Sequence, residues 1–524
     1  MDVPGCTPDC ATQMIGEDDG CGGVCTGGGF GIGLKPGGAQ DVGYFRHLVD
    51  EGEVPEAALF PIEGFLNEHD TALPAPDFDM FATLHAFLGM LYDPQADKPL
   101  IAMQIGLNSA VSPEAIESKH FNLVVVVDKS GSMGSAGKLD FVKAGLLLML
   151  NTLDEDDTLA IVTYSDNAEV ACGPTPVAGY NKGHLVDVIT GIQASGSTNL
   201  YAGMVEGYEL AKMNINKPNT ISRILLLSDG LISAGEHNFD VILAKSAQYN
   251  EAGIGITTVG VGTEFNQNLM YQLASQGNGN FYFLEDGEKL VDVFDYELVY
   301  LLTPVAENLK ISFRLPEGFF VEEIYGFDFQ ELDDGEIVLL GPAPQYSVTP
   351  PDQGGGDNPD PDAGNVAIPT LFASKKNGIL MVRLGVQQTS IFDAWEALDF
   401  AEITYSYDLA DTGETESATK TVVMGSLSYF EEDDPDSELA FFTGPIMQRN
   451  FCILRMALGV KEACALYHNI PQDVGGAIIQ LADAMTFCKG INFTLNDSVI
   501  DEDIELLEAL KDNICAGADC MPSQ

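Results

Sequence analysis

The sequence predicts a doubly wound α/β domain with a parallel sheet across residues 118–302. β-rich segments flank it and a C-terminal helical segment follows. Three observations carry this expectation. Near-continuous apolar runs recur at "LVVVVD" (123–128), "TLAIVTYS" (158–165), "RILLLSD" (223–229), "GITTVGVG" (255–262) and "NFYFLED" (280–286). Between them lie 138–153, 199–214, 238–253 and 266–277, each with apolar residues at i, i+3, i+4 spacing. Asp128 and Asp229 are among the aspartates that close these runs. Strands buried on both faces and joined by amphipathic helices make a covered parallel sheet. In such sheets ligands bind beyond the carboxyl ends of the strands, where the strand order reverses.

The elements follow in chain order. Residues 1–38 form a Cys- and Gly-rich segment and linker. Cys6, Cys10, Cys21 and Cys25 have a C-x3-C…C-x3-C spacing that admits zinc or disulfides. The absence of histidine and of an apolar core favours disulfides. The Gly-rich run 26–38 lacks the Gly-Lys-Ser/Thr end of a phosphate loop. Residues 39–117 read as two short helices in 41–70, broken near Pro55, and strands at 81–91 and 99–110 that join a β domain. That domain resumes over 303–428 as a β-sandwich-like unit. Its acidic stretch 348–365, "VTPPDQGGGDNPDPDAGN", has the composition of a disordered loop and matches no calcium loop. Residues 429–524 are a Cys-containing helical segment. Cys452 and Cys464 on one helix would be about 18 Å apart, so each would need Cys488, Cys515 or Cys520 as partner.

Composition narrows the function. The 524 residues carry 79 acidic against 24 basic side chains, a net charge of −55. Such a polyanion repels nucleic acid and anionic lipid, so neither is an expected partner. No run approaches the ~18 apolar residues that a membrane-spanning helix needs, and the start "MDVPGC" shows no signal peptide.

The polar residues at the strand ends form the candidate site. Asp128, Ser130 and Ser132 lie in "DKSGSM", Thr198 in "GSTNL" and Asp229 in "LSDG". If the strands are neighbours, two carboxylates and three hydroxyls share one edge. All are hard oxygen donors, which select Mg²⁺, Ca²⁺ or Mn²⁺ over zinc or copper. Gly131 is expected to let the chain turn so that both serines face one point. The alternative is helix capping by the serines and a plain turn at Asp229. His237 lies near the Asp229 loop, where a surface position is the simpler reading.

These motifs resemble the von Willebrand factor type A domain and its metal-ion-dependent adhesion site. The D-x-S-x-S element falls on Asp128, Ser130 and Ser132, the threonine on Thr198 and the distant aspartate on Asp229. The resemblance implies that the two serines ligate a metal, with Thr198 and the aspartates ligating directly or through water, and magnesium is the expected ion. Lys129 stands at the family's variable position. "FRHLVDEGEVPEAALFPIEGFLN" and "ASQGNGNFYFLED" are similar to a bacterial subgroup in which the A domain is inserted into a flanking β-rich domain. The "CTPDC…DDGCGGVC" segment is similar to Cys-rich modules of exported bacterial proteins. Together they imply a location outside the cytoplasm: extracellular, on the cell surface or in the periplasm.

No nucleophile elbow, HExxH motif or paired general acid and base is present, so no enzymatic activity is expected. The expected partner is a protein presenting Asp or Glu to the metal. The competing expectation is a structural cell-surface protein that self-associates, with the metal only steadying the loops.

Overall fold

A computed structural model describes residues 32–518 apart from 37, 40–41, 72, 78–79, 94–97, 111–119, 216, 218–219, 230, 251, 263–265, 278, 285–293, 295–303, 333–334, 343–367, 375–376, 388–398, 410–411 and 424–439. The four N-terminal cysteines, the Gly-rich run up to residue 31, the acidic stretch 348–365 and Cys520 lie outside the described residues.

The chain opens with two short strands, β1 (Ile32–Pro36) and β2 (Gly38–Ala39), which belong to different sheets. Helices α1 (Gly43–Asp50) and α2 (Ile62–Glu68) follow, separated by Pro55 and a single 3₁₀ turn at Ala57–Leu59. Strands β3 (Ala82–Asp93) and β4 (Lys98–Ser109) pair antiparallel along their whole length.

The next stretch is the α/β domain. Its elements are β5 (His120–Asp128), α3 (Lys138–Thr152), β6 (Thr158–Tyr164), β7 (Ala168–Pro176), α4 (Gly179–Gly191), α5 (Leu200–Lys212), β8 (Thr220–Ser228), α6 (Phe239–Asn250), β9 (Gly255–Val261), α7 (Gln267–Gln276) and β10 (Asn280–Leu284). The seven-stranded sheet runs β2-β10-β9-β8-β5-β6-β7, parallel except at the β6–β7 edge. Both faces of β5 are covered. Val125 and Val127 pack with Leu146 and Met149 of α3, while Val124 and Val126 pack with Met204 and Tyr208 of α5. Each such fully buried valine contributes on the order of 1.5–3 kcal/mol before chain entropy is subtracted. Helix α5 can approach the sheet closely because it presents glycine. A Cβ on Gly203 would lie 2.4 Å from the Tyr164 ring, and one on Gly207 2.5 Å from Val126.

Sequence periodicity misses two elements here, β7 and α4. The β7 run "AEVACGPTP" is half-exposed and antiparallel at the sheet edge, so it lacks the apolar continuity of the central strands. Helix α4 "GYNKGHLVDVITG" buries only Leu185 and Ile189, too few to mark a helical stripe.

The chain then returns to the sheet it left. Strands β11 (Pro304–Arg314), β12 (Phe319–Ile324), β13 (Phe327–Glu331), β14 (Glu336–Pro342), β15 (Ile368–Ser374), β16 (Gly378–Val386), β17 (Asp399–Leu409), β18 (Thr415–Val423) and β19 (Ala440–Phe442) complete a 12-stranded sheet with β1, β3 and β4. Its path is β1-β15-β11-β14-β13-β12-β16-β4-β3-β19, and β1 also pairs with β4. The α/β domain is therefore an insertion between β4 and β11. The β-rich part is one continuous hydrogen-bonded network that closes on itself through β1. The β17–β18 pair branches from β11, and the Ala82 amide of β3 donates to the Tyr407 hydroxyl of β17 at 2.8 Å.

Helices α8 (Pro445–His468), α9 (Val474–Leu495) and α10 (Ser498–Ala518) close the molecule. Cys452 of α8 pairs with Cys488 of α9, whereas Cys464 on the same helix is a buried free thiol. Phe45, Phe60 and Phe65 share the helical core with Phe451 and Leu507. At its centre Asp503 accepts from Arg46 Nη2 at 2.8 Å and lies 2.7 Å from His69 Nε2. The insertion touches this frame in several places. Gly38 and Ala39 pair with Asn280 and Phe281, Tyr44 meets Phe283 edge-on at 5.5 Å, and the Tyr271 hydroxyl donates to Glu63 at 3.1 Å.

Candidate metal site

β5 and β8 are hydrogen-bonded neighbours at the centre of the sheet. From β5 the chain first moves outward to β6, then crosses back to place β8 on the other side. The strand order reverses there, and the crevice beyond the carboxyl ends of β5 and β8 is the ligand position of such sheets. Asp128 ends β5 and Asp229 follows β8, and both are fully buried.

Asp128 is held from three sides. The Ser228 hydroxyl donates to Oδ2 at 2.7 Å, the Tyr164 hydroxyl reaches the same oxygen at 3.4 Å, and the Ser130 amide donates to Oδ1 at 2.8 Å. Burial pushes the Asp128 carboxyl up to about 6. Hydrogen bonds from Ser130 and Ser228 oppose that rise, and the charge of Asp229 adds to it. Burial likewise carries the Tyr164 hydroxyl far above its ordinary value, so it stays a donor.

The serine hydroxyls do not cap a helix. The 3₁₀ turn Gly131–Gly134 has no side-chain cap, and α3 begins only after Gly137. Ser130 Oγ and Ser132 Oγ instead lie 3.0 Å apart. Gly131 lies between them at the start of that turn, without a positive φ. Its amide donates to Gly196 O at 3.0 Å and brings the two loops together.

Thr198 is buried in the neighbouring loop. Backbone bonds tie that loop to the first one and to the end of β6: Ser195 N donates to Lys129 O at 2.6 Å and Asn199 N to Ser165 O at 2.8 Å. Thr198 N donates to Ser233 Oγ at 2.9 Å, and Thr198 O accepts from the amides of Ser233 and Ala234. The loop after β8 is thus bound to Thr198, and the Asp229 carbonyl accepts from Asn266 N at 3.1 Å. The segments bearing all five residues therefore converge on one edge. His237 is exposed and takes no part in these bonds.

Several neighbours carry no sequence signal of their own. Ser228 directly precedes Asp229, and Ser233 anchors Thr198 from a loop that reads as ordinary turn. The Lys138 ammonium lies 3.3 Å from Asp229 Oδ2, with its side chain 8% exposed and that of Asp229 fully buried. The Lys129 side chain pairs with Glu169 at 2.7 Å. Among the described residues no three His, Cys, Asp or Glu side chains gather to hold a metal. A cation here would rest on hydroxyls beside two carboxylates, a set suited to a hard dication and not to zinc.

A mostly parallel sheet with this strand order, flanked by helices and carrying these loops at its reversal point, defines the fold class. Residues 122–296 match the family model of the von Willebrand factor type A domain, and the chain carries such a domain there. Domains of this class commonly mediate protein–protein interaction and adhesion. The chain is 31% identical over 202 residues to the uncharacterised protein YfbK of Escherichia coli, covering 38% of this chain and 35% of that one. It is 26% identical over 208 residues to the uncharacterised protein sll0103 of Synechocystis, covering 39% and 48%. It is also 25% identical over 241 residues to mouse inter-alpha-trypsin inhibitor heavy chain H2, covering 44% and 24%. The chain thus spans from about a quarter to about half the length of these relatives. Among solved structures, a von Willebrand factor type A protein from Catenulispora acidiphila aligns over 83% of this chain and 90% of its own, at 13% identity and TM-score 0.49.

Proposed function

We propose that this is a metal-dependent protein-binding protein of adhesion type, working outside the cytoplasm. The observation that carries the reading is the gathering of the Asp128, Ser130–Ser132, Thr198 and Asp229 loops at the β5/β8 reversal point. Ser130, Ser132, Thr198, Asp128 and Asp229 would hold a divalent cation, with Mg²⁺ the best fit to five oxygen donors of low total charge. When bound, such a cation supplies a Lewis-acidic position for an Asp or Glu carboxylate of the partner. The protein's own contribution is rigidity. Ser228 and the Ser130 amide fix Asp128, and Ser233 fixes the Thr198 loop.

No general base, nucleophile or proton relay enters this reading, and we assign no catalysis. The Cys452–Cys488 pair supports an oxidising, extracytoplasmic location. Among the described residues no helix is long and apolar enough to cross a membrane.

The test is capture of partners from the native surroundings with Mg²⁺ and with EDTA, using wild type and Asp128→Ala. Loss of capture in EDTA and in the variant, with the fold intact by circular dichroism, is expected. Capture that persists in EDTA would refute the reading. Gel filtration with and without Mg²⁺ reads the competing assembly role. Self-association unaffected by Asp128→Ala would favour it.

A further inference from the structure

Lys138 is the first residue of α3, and its position is costly on three counts. A cation at a helix N-terminus opposes the helix dipole. Its side chain is almost fully withdrawn from water, and a buried charge is costly unless it is paired. Its stem also needs room, which only glycine provides. Gly262, at φ +79°, faces it so closely that a Cβ there would lie 2.3 Å from Lys138 Cε and 2.9 Å from Cδ. What offsets these costs is Asp229, whose Oδ2 is 3.3 Å from the ammonium. The slot under Gly262 thus delivers a tethered positive charge to one edge of the metal site.

We propose that Lys138 is a built-in counter-charge that weakens the site's hold on its cation. The inference rests on the metal-site reading above. Two carboxylates and one ammonium leave the site with one net negative charge. A dication added to it leaves one net positive charge facing an incoming carboxylate. Without the lysine, the loaded site would be neutral. Lys138 therefore trades cation affinity for attraction of an acidic partner. It is a positioning and tuning residue and need not ligate the metal.

The experiment titrates Mn²⁺ into the metal-stripped full chain and reads free Mn²⁺ by electron paramagnetic resonance. The acidic surface will bind Mn²⁺ weakly at many places, so Asp128→Ala supplies the background. Lys138→Met, which keeps the stem and removes the charge, is expected to bind at the Asp128-dependent site at least about tenfold more tightly than wild type. A lysine needed only to hold the loops would give the opposite sign, because its loss would disorder the site. Equal or weaker Mn²⁺ binding by folded Lys138→Met overturns the inference. If that variant does not fold, Lys138→Gln, which can still hydrogen-bond Asp229, carries the same readout. Wild type that binds no Mn²⁺ above the Asp128→Ala background would refute the metal-site reading itself, and this inference with it.

Discussion

Asp128 shows how single side chains shape the site. A carboxylate with no solvent exposure is stable only where its oxygens are partnered, and each partner then matters. Ser228 makes the 2.7 Å contact to Oδ2, shorter than the 3.4 Å contact from Tyr164. Ser228→Ala is expected to cost ~1–3 kcal/mol in urea unfolding, the usual penalty for a buried charged acceptor losing a donor. Tyr164→Phe should cost less, because its bond is long. Equal losses in both variants would contradict this ranking. The five candidate residues could be picked out in the sequence because each sits in a short local motif. Ser228, Ser233 and Lys138 were not, because their roles depend on which loops face one another.

The elements decide how precisely those side chains are placed. Helix α5 starts at Leu200, two residues after Thr198, and lies on the sheet through Gly203 and Gly207. Gly203→Ala would push a methyl into the Tyr164 ring, lifting the helix and dragging the Thr198 loop. The expected loss is ~1–3 kcal/mol of stability by urea unfolding, together with weaker metal binding. An unchanged stability would show that the close approach is not needed. In the helical segment, Arg449 Nε of α8 lies 2.5 Å from Asp497 Oδ2, just before α10. Burial acts to raise the Asp497 carboxyl. The hydrogen bond and charge of Arg449, with the amides of Val499 and Ile500, outweigh it and hold the group below its ordinary value. A lowered carboxyl contributes stability above the unfolded value and loses it as pH falls through the folded one. Arg449→Met is thus expected to be less stable than wild type at pH 7, with the gap closing below about pH 4. A gap that stays constant into acid would contradict the assignment.

At the scale of the whole molecule, charge and topology matter most. Under the proposed function, an acidic partner must overcome the net charge of −55 before it reaches the candidate metal site. Salt screens that repulsion over about 10 Å at 0.1 M. Moderate salt is therefore expected to raise the association rate, measured by stopped flow at fixed Mg²⁺. A rate that falls steeply with salt would mean attraction to a basic partner surface instead. The α/β domain is also gripped by the frame that contains it. β1 pairs within the frame sheet while β2 extends the α/β sheet, and Tyr271 reaches Glu63 of α2. The insertion was suggested by resemblance, but the split of adjacent strands between two sheets was not. Two short strands separated by one residue carry no periodicity that could reveal it.

Local sequence alone marks the central strands, their covering helices and the five candidate oxygen donors. Those features are written in local spacing: unbroken apolar runs, i, i+3, i+4 stripes, and polar residues where a run stops. The tertiary structure decided that β5 lies beside β8, so that Asp128 and Asp229 meet across the reversal point. It also decided that Lys138 reaches Asp229 through the slot under Gly262, and that the β-rich sheet closes through β1. The reason is one of range. Periodicity reports which face of an element is buried, whereas strand adjacency and polar pairing arise between residues far apart in sequence. Those pairings are settled only when the loops are packed.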